Sequence, residues 1–300
     1  MEEKLKAVIG GKVDLDTVGV GFFWAIGRDN YDVSIVRSGQ ASEEDLAADD
    51  VICIEVGGSG RVGEMNFDHH DPSGPTESAT AQAFRASLRG ALLEVEEWFG
   101  GNVVIVAKLV SYIDILDTRG AKSLPSYGQI EFPTLSDVFA GMLLTTRDPV
   151  EQFYRGVELL DEIVQTGQDP FGTIRGFDSY AEAKAENNRQ VAEAGRKAEW
   201  SVTRSGRKLG YLETDFYGAP GVLYGLGAEV VVAYAPRFGN PPVPKFTVAG
   251  NDVRVDSALQ RLNELEPGWG GPATRTIIGS PREGSRLSLE DVVEVVKAAL

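Results

Sequence analysis

The only two histidines of the chain stand side by side in the stretch NFDHHDP, residues 66–72. Neutral imidazole is a common ligand for manganese, iron or zinc, and protonated imidazole is a good hydrogen-bond donor to phosphate. The side chains of His69 and His70 point in different directions, and Asp68 could orient one of the two rings from behind. Two exposed histidines on a loop are the alternative. Their confinement to one acidic stretch favours a metal or phosphate site.

Further acidic residues follow two predicted strands. Asp14 and Asp16, in the motif DLD, lie between a strand and a helix, and open parallel sheets bind ligands at this carboxyl edge. Two carboxylates so close together repel each other, and a divalent cation removes that penalty. For an isolated DLD motif, a solvated turn with an N-cap aspartate is the stronger interpretation. Glu55 ends the apolar run VICIEV, where a carboxylate is costly unless it is paired, capping or bound to a metal.

A fourth acidic motif, DILD, ends a later apolar segment. Either Asp114 or Asp117 could complete a cation site, and either could equally be a polar residue at a helix end. In chain order, DLD, the strand-end acid, DHH and DILD resemble the motifs of the DHH phosphoesterase superfamily, including its RecJ-like and nanoRNase-like members. The run EVGG, which starts at Glu55, is similar to the second motif of the DHH-related exonuclease branch. The resemblance covers roughly the N-terminal half of the chain.

This resemblance implies a Rossmann-like domain that binds two divalent metal ions and hydrolyses a phosphoester or a phosphoanhydride. Mn²⁺ is the expected ion, with Mg²⁺ or Co²⁺ as alternatives. His70 matches the residue that contacts the substrate phosphate, and Asp68 beside it is assigned to catalysis with it. Glu55 falls where the superfamily has an aspartate that bridges both metals. The implied metal ligands are Asp14, Asp16, Glu55, His69, and Asp114 or Asp117.

Three departures from the superfamily pattern bear on the substrate and the rate more than on the class of reaction. Gly10 stands where a histidine often precedes the first aspartate, so one metal site is expected to be weaker or filled only with substrate. Glu55 replaces the bridging aspartate with a side chain that is longer by a methylene. The C-terminal Gly-Gly-Gly-His loop of the superfamily has its nearest match in GWGGPATR, residues 268–275, which contains no histidine.

The C-terminal region still offers residues for an anion site. Glycine backbone amides can approach a phosphate closely, and arginines can bind it bidentately. Trp269 is a candidate to stack a base. Two Gly-rich turns with solvated arginines are an equally weighted alternative. The predicted substrate-binding residues are Gly270, Gly271, Arg275 and Arg282.

Alternating strand-like and helix-like segments must position these residues, in the β-α-β rhythm of a parallel sheet covered by helices. We therefore predict an α/β fold, with a Rossmann-like parallel sheet and helices on both faces, plus a smaller α+β C-terminal domain. Residues 102–117 are predicted to start as strand and continue as helix. The predicted domains are a metal-binding catalytic domain at residues 1–178, a helical linker at 179–200 and a substrate-binding domain at 201–300. The predicted helices include residues 17–26, 77–98, 135–145, 149–165, 256–265 and 289–300.

The composition limits the class of protein. The chain has 300 residues, of which 42% are hydrophobic and 25% charged, as in ordinary globular proteins. No apolar run is long enough to span a bilayer, and the single cysteine, Cys53, excludes an internal disulfide and favours a cytoplasmic location. A net charge of −16 disfavours sequence-independent electrostatic binding of long nucleic acid. The expected partner is a small anionic phosphorylated substrate, with short nucleic acid and a homodimer as further options and no membrane.

The function predicted is therefore a divalent-metal-dependent phosphoesterase that acts on a nucleotide or a short oligonucleotide. One alternative is a degenerate relative that holds a nucleotide or a metal without strong hydrolase activity. Another follows from DLDTV, which resembles the first motif of haloacid-dehalogenase-like phosphatases, where the first aspartate is a nucleophile. That family does not explain the DHH stretch.

Overall fold

The chain forms two compact units, Met1–Lys184 and Ala185–Leu300. Among the residues that are described, no helix is both long and apolar enough to cross a bilayer. The computed structural model describes residues 5–26, 31–36, 40–57, 61, 65–70, 76–89, 99–125, 127–239, 241–271 and 275–300.

A sheet of four parallel strands runs through the N-terminal unit, in the order β2-β1-β3-β4. Its strands are β1 (Leu5–Gly10), β2 (Tyr31–Val36), β3 (Val51–Ile54) and β4 (Asn66–Phe67). The helices described in this unit are α1 (Leu15–Ala25), α2 (Glu43–Ala47), α3 (Ala79–Leu88), α4 (Val103–Arg119), α5 (Leu135–Thr145) and α6 (Pro149–Gln165).

Alternate residues of the strands enter two separate cores, because successive side chains point to opposite faces of a sheet. Ile9 of β1 and Ile54 of β3 join the main core with residues of α1, α3, α4, α5 and α6. Val8 and Cys53, from the same two strands, enter a smaller core with Leu46 of α2. Helices therefore cover both faces of the parallel sheet, and the predicted α/β class is confirmed.

Helix α1 is buried along its whole length, and two glycines let other helices approach it. A Cβ atom on Gly19 would lie 2.1 Å from Thr80 Oγ1, and one on Gly21 would lie 2.4 Å from the ring of Phe153. Helices α3 and α6 can thus pack directly on α1. The close approach of α3 also brings its N-terminus to Asp16, at the start of α1.

The prediction that residues 102–117 start as a strand is wrong, because Val103–Arg119 is one continuous helix. The run VVIV has a local preference for strand. Apolar residues also recur at helical spacing along this segment, and their burial outweighs the local preference. The residues that carry this pattern into the core are Val106, Leu109, Val110 and Ile113.

Other predicted elements agree more closely with the structure. Helices α5 and α6 have the predicted bounds. A threonine capping box starts α5, and proline follows an aspartate N-cap at the start of α6, so their N-termini could be predicted from sequence. The helix predicted at residues 77–98 is observed over Ala79–Leu88, and residues 90–98 lie outside the described part of the chain.

The C-terminal unit contains a sheet with the order β5-β6-β7-β8-β9, in which only β6 and β7 are parallel neighbours. Its elements are β5 (Glu199–Val202), β6 (Lys208–Glu213), β7 (Val230–Phe238), β8 (Val243–Gly250), β9 (Ile277–Gly279), α8 (Ala219–Gly225), α9 (Asp256–Leu265) and α10 (Leu289–Ala299). One face packs on α9 and α10 and the other on α8. This arrangement agrees with the predicted mixed C-terminal domain.

Helix α7 (Asp178–Gly195) runs through the point at which the two units divide. Its C-terminal residue Val191 packs in the core that α8 shares with the sheet. The helical linker predicted at residues 179–200, and with it the two domain boundaries, stays a prediction.

Candidate metal centre

Neighbouring parallel strands end side by side and deliver acidic motifs to one edge of the sheet. The register pairs Ile9 of β1 with Ile54 of β3, and Ile54 with Phe67 of β4. Glu55 and Asp68 are the residues directly beyond two of these strand ends, so the DHH stretch starts next to the acid of the second motif. This is the carboxyl edge, where ligands of open parallel sheets bind.

His69 lies among carboxylates from three different segments of the chain. Its Nε2 atom is 3.1 Å from Asp117 Oδ2, 3.7 Å from Glu55 Oε2 and 3.8 Å from Asp16 Oδ2. Two groups share this imidazole, and within each the ligand atoms all lie within 4.8 Å of one another. One group is Asp16, His69 and Asp117, and the other is Glu55, His69 and His70.

The second histidine also faces Glu55, whose Oε2 lies 3.3 Å from His70 Nδ1, but its nearest partner is Asp68. Asp68 Oδ1 accepts a hydrogen bond of 2.9 Å from the His70 backbone N–H and lies 2.8 Å from His70 Nδ1. Asp68 is buried, whereas the His70 side chain is 65% exposed. Asp68 therefore fixes the His70 ring through Nδ1, which leaves Nε2 for a ligand. The hydrogen bond to Asp68 also raises the pKa of His70.

Asp14 and Asp114, both within the described residues, lie outside these two groups. Asp14 is the N-cap of α1, and its Oδ1 accepts hydrogen bonds from Thr17 N–H and Thr17 Oγ1 at 3.0 and 2.9 Å. Asp114 Oδ1 accepts a hydrogen bond of 2.8 Å from Ser78 N–H. Of the two DILD aspartates, the structure thus places Asp117 in the cluster and Asp114 at the start of α3.

Asp16 belongs to the cluster and also binds the N-terminus of α3. Its two carboxylate oxygens accept hydrogen bonds from Ala79 N–H and Thr80 N–H, each of 2.8 Å. Thr80 Oγ1 donates in turn to the Asp16 carbonyl at 3.0 Å. The unpaired N–H groups and the dipole of a helix N-terminus both favour a carboxylate there. These contacts fix Asp16 with Oδ2 facing His69.

Burial and mutual repulsion raise the pKa of the two innermost carboxyls. Burial, followed by the charges of Asp16 and Asp14, raises the pKa of Glu55 to about 11. Burial, followed by the charge of Asp117, raises the pKa of Asp16 to about 6. Without a cation the cluster therefore retains protons near neutral pH, and a bound cation would replace them.

The donor set fits a divalent cation. Carboxylate oxygens and imidazole nitrogens suit first-row divalent metals. Glu55 Oε1 is buried and has no hydrogen-bond partner among the described residues, so a ligand atom is available inside the cluster. The hydrogen bond to Asp117 raises the pKa of His69, which marks a position that favours positive charge. The residues of the two groups that could hold such an ion are Asp16, Glu55, His69, His70 and Asp117.

The predicted substrate-binding residues lie in the C-terminal unit, and several of them make backbone contacts. Gly270 and Gly279 exchange two backbone hydrogen bonds, of 3.1 and 2.7 Å, so the Gly270 N–H is already engaged. Arg275 Nη1 donates to the Gly271 carbonyl at 3.0 Å. Arg282 is exposed. An anion-binding role for these residues stays a prediction.

The expectation that Trp269 stacks a base is wrong. Its side chain is only 5% exposed and belongs to the core of the C-terminal unit. The ring packs against Phe246, with centroids 6.0 Å apart. An aromatic residue in a glycine-rich loop can serve as a core anchor, and local sequence does not distinguish that role from an exposed one. Residues 272–274 of the same loop lie outside the described part of the chain.

The residues at the start of α3 that contact the motifs were not predicted from the sequence. Ser78 and Thr80 donate to aspartates of two motifs, and Gln82 Nε2 donates to the Asp68 carbonyl at 3.0 Å. Gln82 is 2% exposed. The signal available in the sequence was a glutamine within a helix of mostly small residues, ATAQAFRASL, soon after the DHH stretch.

No known family profile and no curated protein matches this chain, but solved structures resemble it. The pGpG-specific phosphodiesterase PggH from Vibrio cholerae aligns with a TM-score of 0.55 at 13% identity, over 97% of this chain and 96% of that chain. The DHH domain of a member of the S1p family of ribosomal proteins aligns with a TM-score of 0.55 at 14% identity, over 97% and 85% of the two chains. The chain therefore has the fold of the DHH phosphoesterase superfamily.

Proposed function

We propose that this protein is a divalent-metal-dependent phosphoesterase that hydrolyses a nucleotide or a short oligonucleotide. The observation that carries the proposal is the position of His69, whose Nε2 lies within 3.8 Å of carboxylate oxygens of Asp16, Glu55 and Asp117. Three carboxylates that meet around the half-buried ring of His69 are unfavourable without a cation, because burial and mutual repulsion oppose the ionisation of the carboxyl groups. The fold at whose sheet edge they meet is shared with a phosphodiesterase.

Two divalent ions are proposed, with Mn²⁺ preferred and Mg²⁺ or Co²⁺ as alternatives. Asp16, Glu55, His69 and Asp117 would hold them. Asp14 can contribute as well, because its hydrogen bonds to Thr17 both fall on Oδ1. When bound, such ions lower the pKa of a coordinated water and neutralise phosphoryl oxygens.

His70 is proposed to bind the substrate phosphate. Asp68 holds the ring by Nδ1 and raises its pKa, which favours the imidazolium form, whose Nε2–H can donate to a phosphoryl oxygen. The ring is more than half exposed, whereas His69 is largely buried. The two neighbouring histidines thus have separate roles, one toward metal and one toward substrate.

The charge of the molecule supports a short substrate. At a net charge of −16, a long polyanion meets repulsion along much of its length, whereas a nucleotide meets mainly the site itself. The name of one structural neighbour says that it acts on pGpG, and we propose a substrate of comparable size here. Exonuclease-type attack on a short oligonucleotide fits this proposal.

Paired histidine variants test the proposal. His69→Ala is expected to lower both Mn²⁺ affinity and pGpG hydrolysis by more than about 100-fold, since losing a direct ligand should exceed the 10–100-fold effect of an outer partner. His70→Ala is expected to keep Mn²⁺ affinity and to lower hydrolysis. Mn²⁺ binding is measured by calorimetry and hydrolysis by chromatography of pGpG and its mononucleotide products.

Circular dichroism of each variant verifies that the fold is intact. Hydrolysis is then measured on a panel of nucleotides, dinucleotides and short RNA or DNA. If wild-type protein binds Mn²⁺ but hydrolyses none of them, the alternative of a degenerate relative without hydrolase activity is favoured. Unchanged turnover in His69→Ala would exclude the proposed centre altogether.

A further inference from the structure

A buried side-chain amide on α3 hydrogen-bonds to the backbone at two places, at the first residue of the DHH motif and just before α3 begins. Gln82 Nε2 donates to the Asp68 carbonyl at 3.0 Å and to the Glu77 carbonyl at 3.3 Å. One side chain on a rigid helix thus holds residues nine positions apart along the chain. Because both acceptors are carbonyls, the amide must present its NH₂ group to them, which fixes its orientation.

Asp68 receives contacts on all three of its oxygens. Oδ1 binds the His70 backbone N–H and faces His70 Nδ1. Oδ2 accepts a hydrogen bond of 2.9 Å from Gly57 N–H, and the carbonyl accepts from Gln82. The loop after β3 and helix α3 therefore clamp Asp68 from two sides, and Asp68 in turn fixes the ring of His70.

Stability alone does not explain an amide at position 82. Gln82 Oε1 is buried and has no hydrogen-bond partner among the described residues. A buried polar atom without a partner costs about 1–3 kcal/mol. The neighbouring helix residues Ala79, Ala83 and Ala86 are buried and apolar, so an apolar side chain would suit this face. The amide is retained although only its NH₂ group is paired, and that group contacts the backbone of the DHH segment.

We propose that Gln82 is a positioning residue for substrate binding. It acts through Asp68 on the orientation of His70, and its effect on turnover rests on the proposed function. Its loss is expected to affect His70 more than His69, because Asp68 Oδ1 contacts the His70 ring directly, whereas His69 Nε2 faces Asp16, Glu55 and Asp117. This separates a positioning role from general support of the fold.

Two substitutions remove the NH₂ group with little change of volume, Gln82→Met, which has no polar atom, and Gln82→Glu, which has no donor once it is ionised. The expected result is a fall of kcat/KM for pGpG by about 10–100-fold, the range for outer partners of a catalytic group. Mn²⁺ affinity should stay within about threefold of wild type, since outer contacts of the metal ligands are kept. Ser87→Ala is the matched control, because Ser87 is buried on the same helix and, among the residues described, its hydroxyl donates to Ala83 O alone.

A second readout needs no activity, because the chain contains only two histidines. Their imidazole signals in ¹H–¹⁵N spectra of metal-free protein can be assigned with His69→Ala. Gln82→Met should shift the His70 ring signals more than those of His69, whose ring packs on His70 with centroids 5.1 Å apart. Ser87→Ala should shift neither.

Unchanged His70 signals together with unchanged kcat/KM in both Gln82 variants would overturn the inference. Equal loss of Mn²⁺ affinity and turnover would overturn it as well, since that pattern means general support of the fold. If wild-type protein shows no metal-dependent hydrolysis, the proposed function fails. The imidazole spectra then still decide whether Gln82 positions His70.

Discussion

Glu55 combines properties that a residue chosen for stability would not have. Its backbone is in the left-handed region, with φ of 59°, which costs a residue other than glycine about 1–3 kcal/mol. Its carboxyl is buried, and burial with nearby Asp16 raises its pKa to about 11. Such costs are typical of functional sites, where a ligand offsets them. Among the residues of the cluster, Glu55 is therefore the one where binding of a cation should change the stability of the fold most directly.

Replacing Glu55 with glutamine should make the metal-free protein less sensitive to pH. A carboxyl whose pKa rises from 4.5 to about 11 on folding takes up a proton when the chain folds above pH 4.5. The folded protein is therefore progressively destabilised relative to the unfolded chain as pH rises from 4.5 toward about 11. Glutamine cannot ionise, so the unfolding free energy of Glu55→Gln should fall less steeply between pH 5 and 8, by up to about 1.4 kcal/mol per pH unit. Denaturant titrations with a chelator present measure this slope.

Asp45→Asn is the control of opposite sign. A hydrogen bond from Lys6 lowers the pKa of Asp45, so this carboxylate stabilises the folded protein above its unfolded pKa and loses that effect only in acid. Asp45→Asn should lower stability at pH 5 and 8 alike, whereas Glu55→Gln should raise it at pH 8. Added Mn²⁺ should raise the Tm of wild type and have little effect on Glu55→Gln. A wild-type pH slope in Glu55→Gln would contradict the account.

The N-terminus of α3 is the element that links the motifs. Asp16 and Asp114 come from different helices, and their carboxylates accept N–H groups from three consecutive residues at the start of α3, Ser78, Ala79 and Thr80. These hydrogen bonds pair backbone N–H groups that have no partner within the helix, and the negative charges also interact favourably with the helix dipole. The same contacts fix the position of Asp16 Oδ2, the oxygen that faces His69. Two aspartates of the metal motifs thus also have a structural role.

Substituting each DILD aspartate by alanine should separate these roles. Asp114→Ala leaves the N–H of the buried residue Ser78 without its acceptor, so it should lower the unfolding free energy by about 1–2 kcal/mol and keep Mn²⁺ binding. Asp117→Ala removes a group that faces His69 at 3.1 Å, so it should abolish Mn²⁺ binding and change the unfolding free energy little. Denaturant unfolding and calorimetry with Mn²⁺ measure the two effects. Loss of Mn²⁺ binding in Asp114→Ala alone would reverse the assignment.

Local signals made some of these elements predictable and left others hidden. The bounds of α5, α6 and α9 were predicted because cap residues, a first-turn proline and regular apolar spacing all lie within the segments themselves. The contact of Asp16 with Ala79 N–H joins residues 63 positions apart, so no local pattern predicts it. Trp269 was misjudged for the same reason, since its burial depends on Phe246 in another strand.

The site itself was predictable in part. The resemblance to the DHH superfamily grouped Glu55, His69 and Asp16, and the common edge of parallel strands independently brought Glu55 and the DLD motif together. The choice between Asp114 and Asp117 depends on the rotation of α4 about its axis, which spacing alone does not fix. Gln82 was missed because its role depends on a contact between the backbone of one segment and the side chain of another.

At the scale of the whole molecule, net charge sets the kind of polyanion that can approach. The net charge is −16, with a sequence pI near 4.6. Charges separated by more than the Debye length, about 10 Å at 0.1 M salt, are largely screened from each other. A dinucleotide in the site is therefore affected mainly by the local cluster. A longer strand passes over more of the acidic surface, and that repulsion weakens as salt increases.

Salt should therefore have opposite effects here and in basic nucleic-acid-binding proteins. Proteins that grip the backbone with lysine and arginine lose affinity steeply as salt rises. For this protein, kcat/KM for a 20-nucleotide single strand should rise about two- to fivefold between 50 and 300 mM NaCl at saturating Mn²⁺, since screening removes repulsion. The value for pGpG should change less and exceed that of the 20-mer at low salt. Initial rates with both substrates across the salt series measure these effects. If the 20-mer instead reacts faster than pGpG at 50 mM NaCl and slows as salt rises, a basic surface must bind the longer strand.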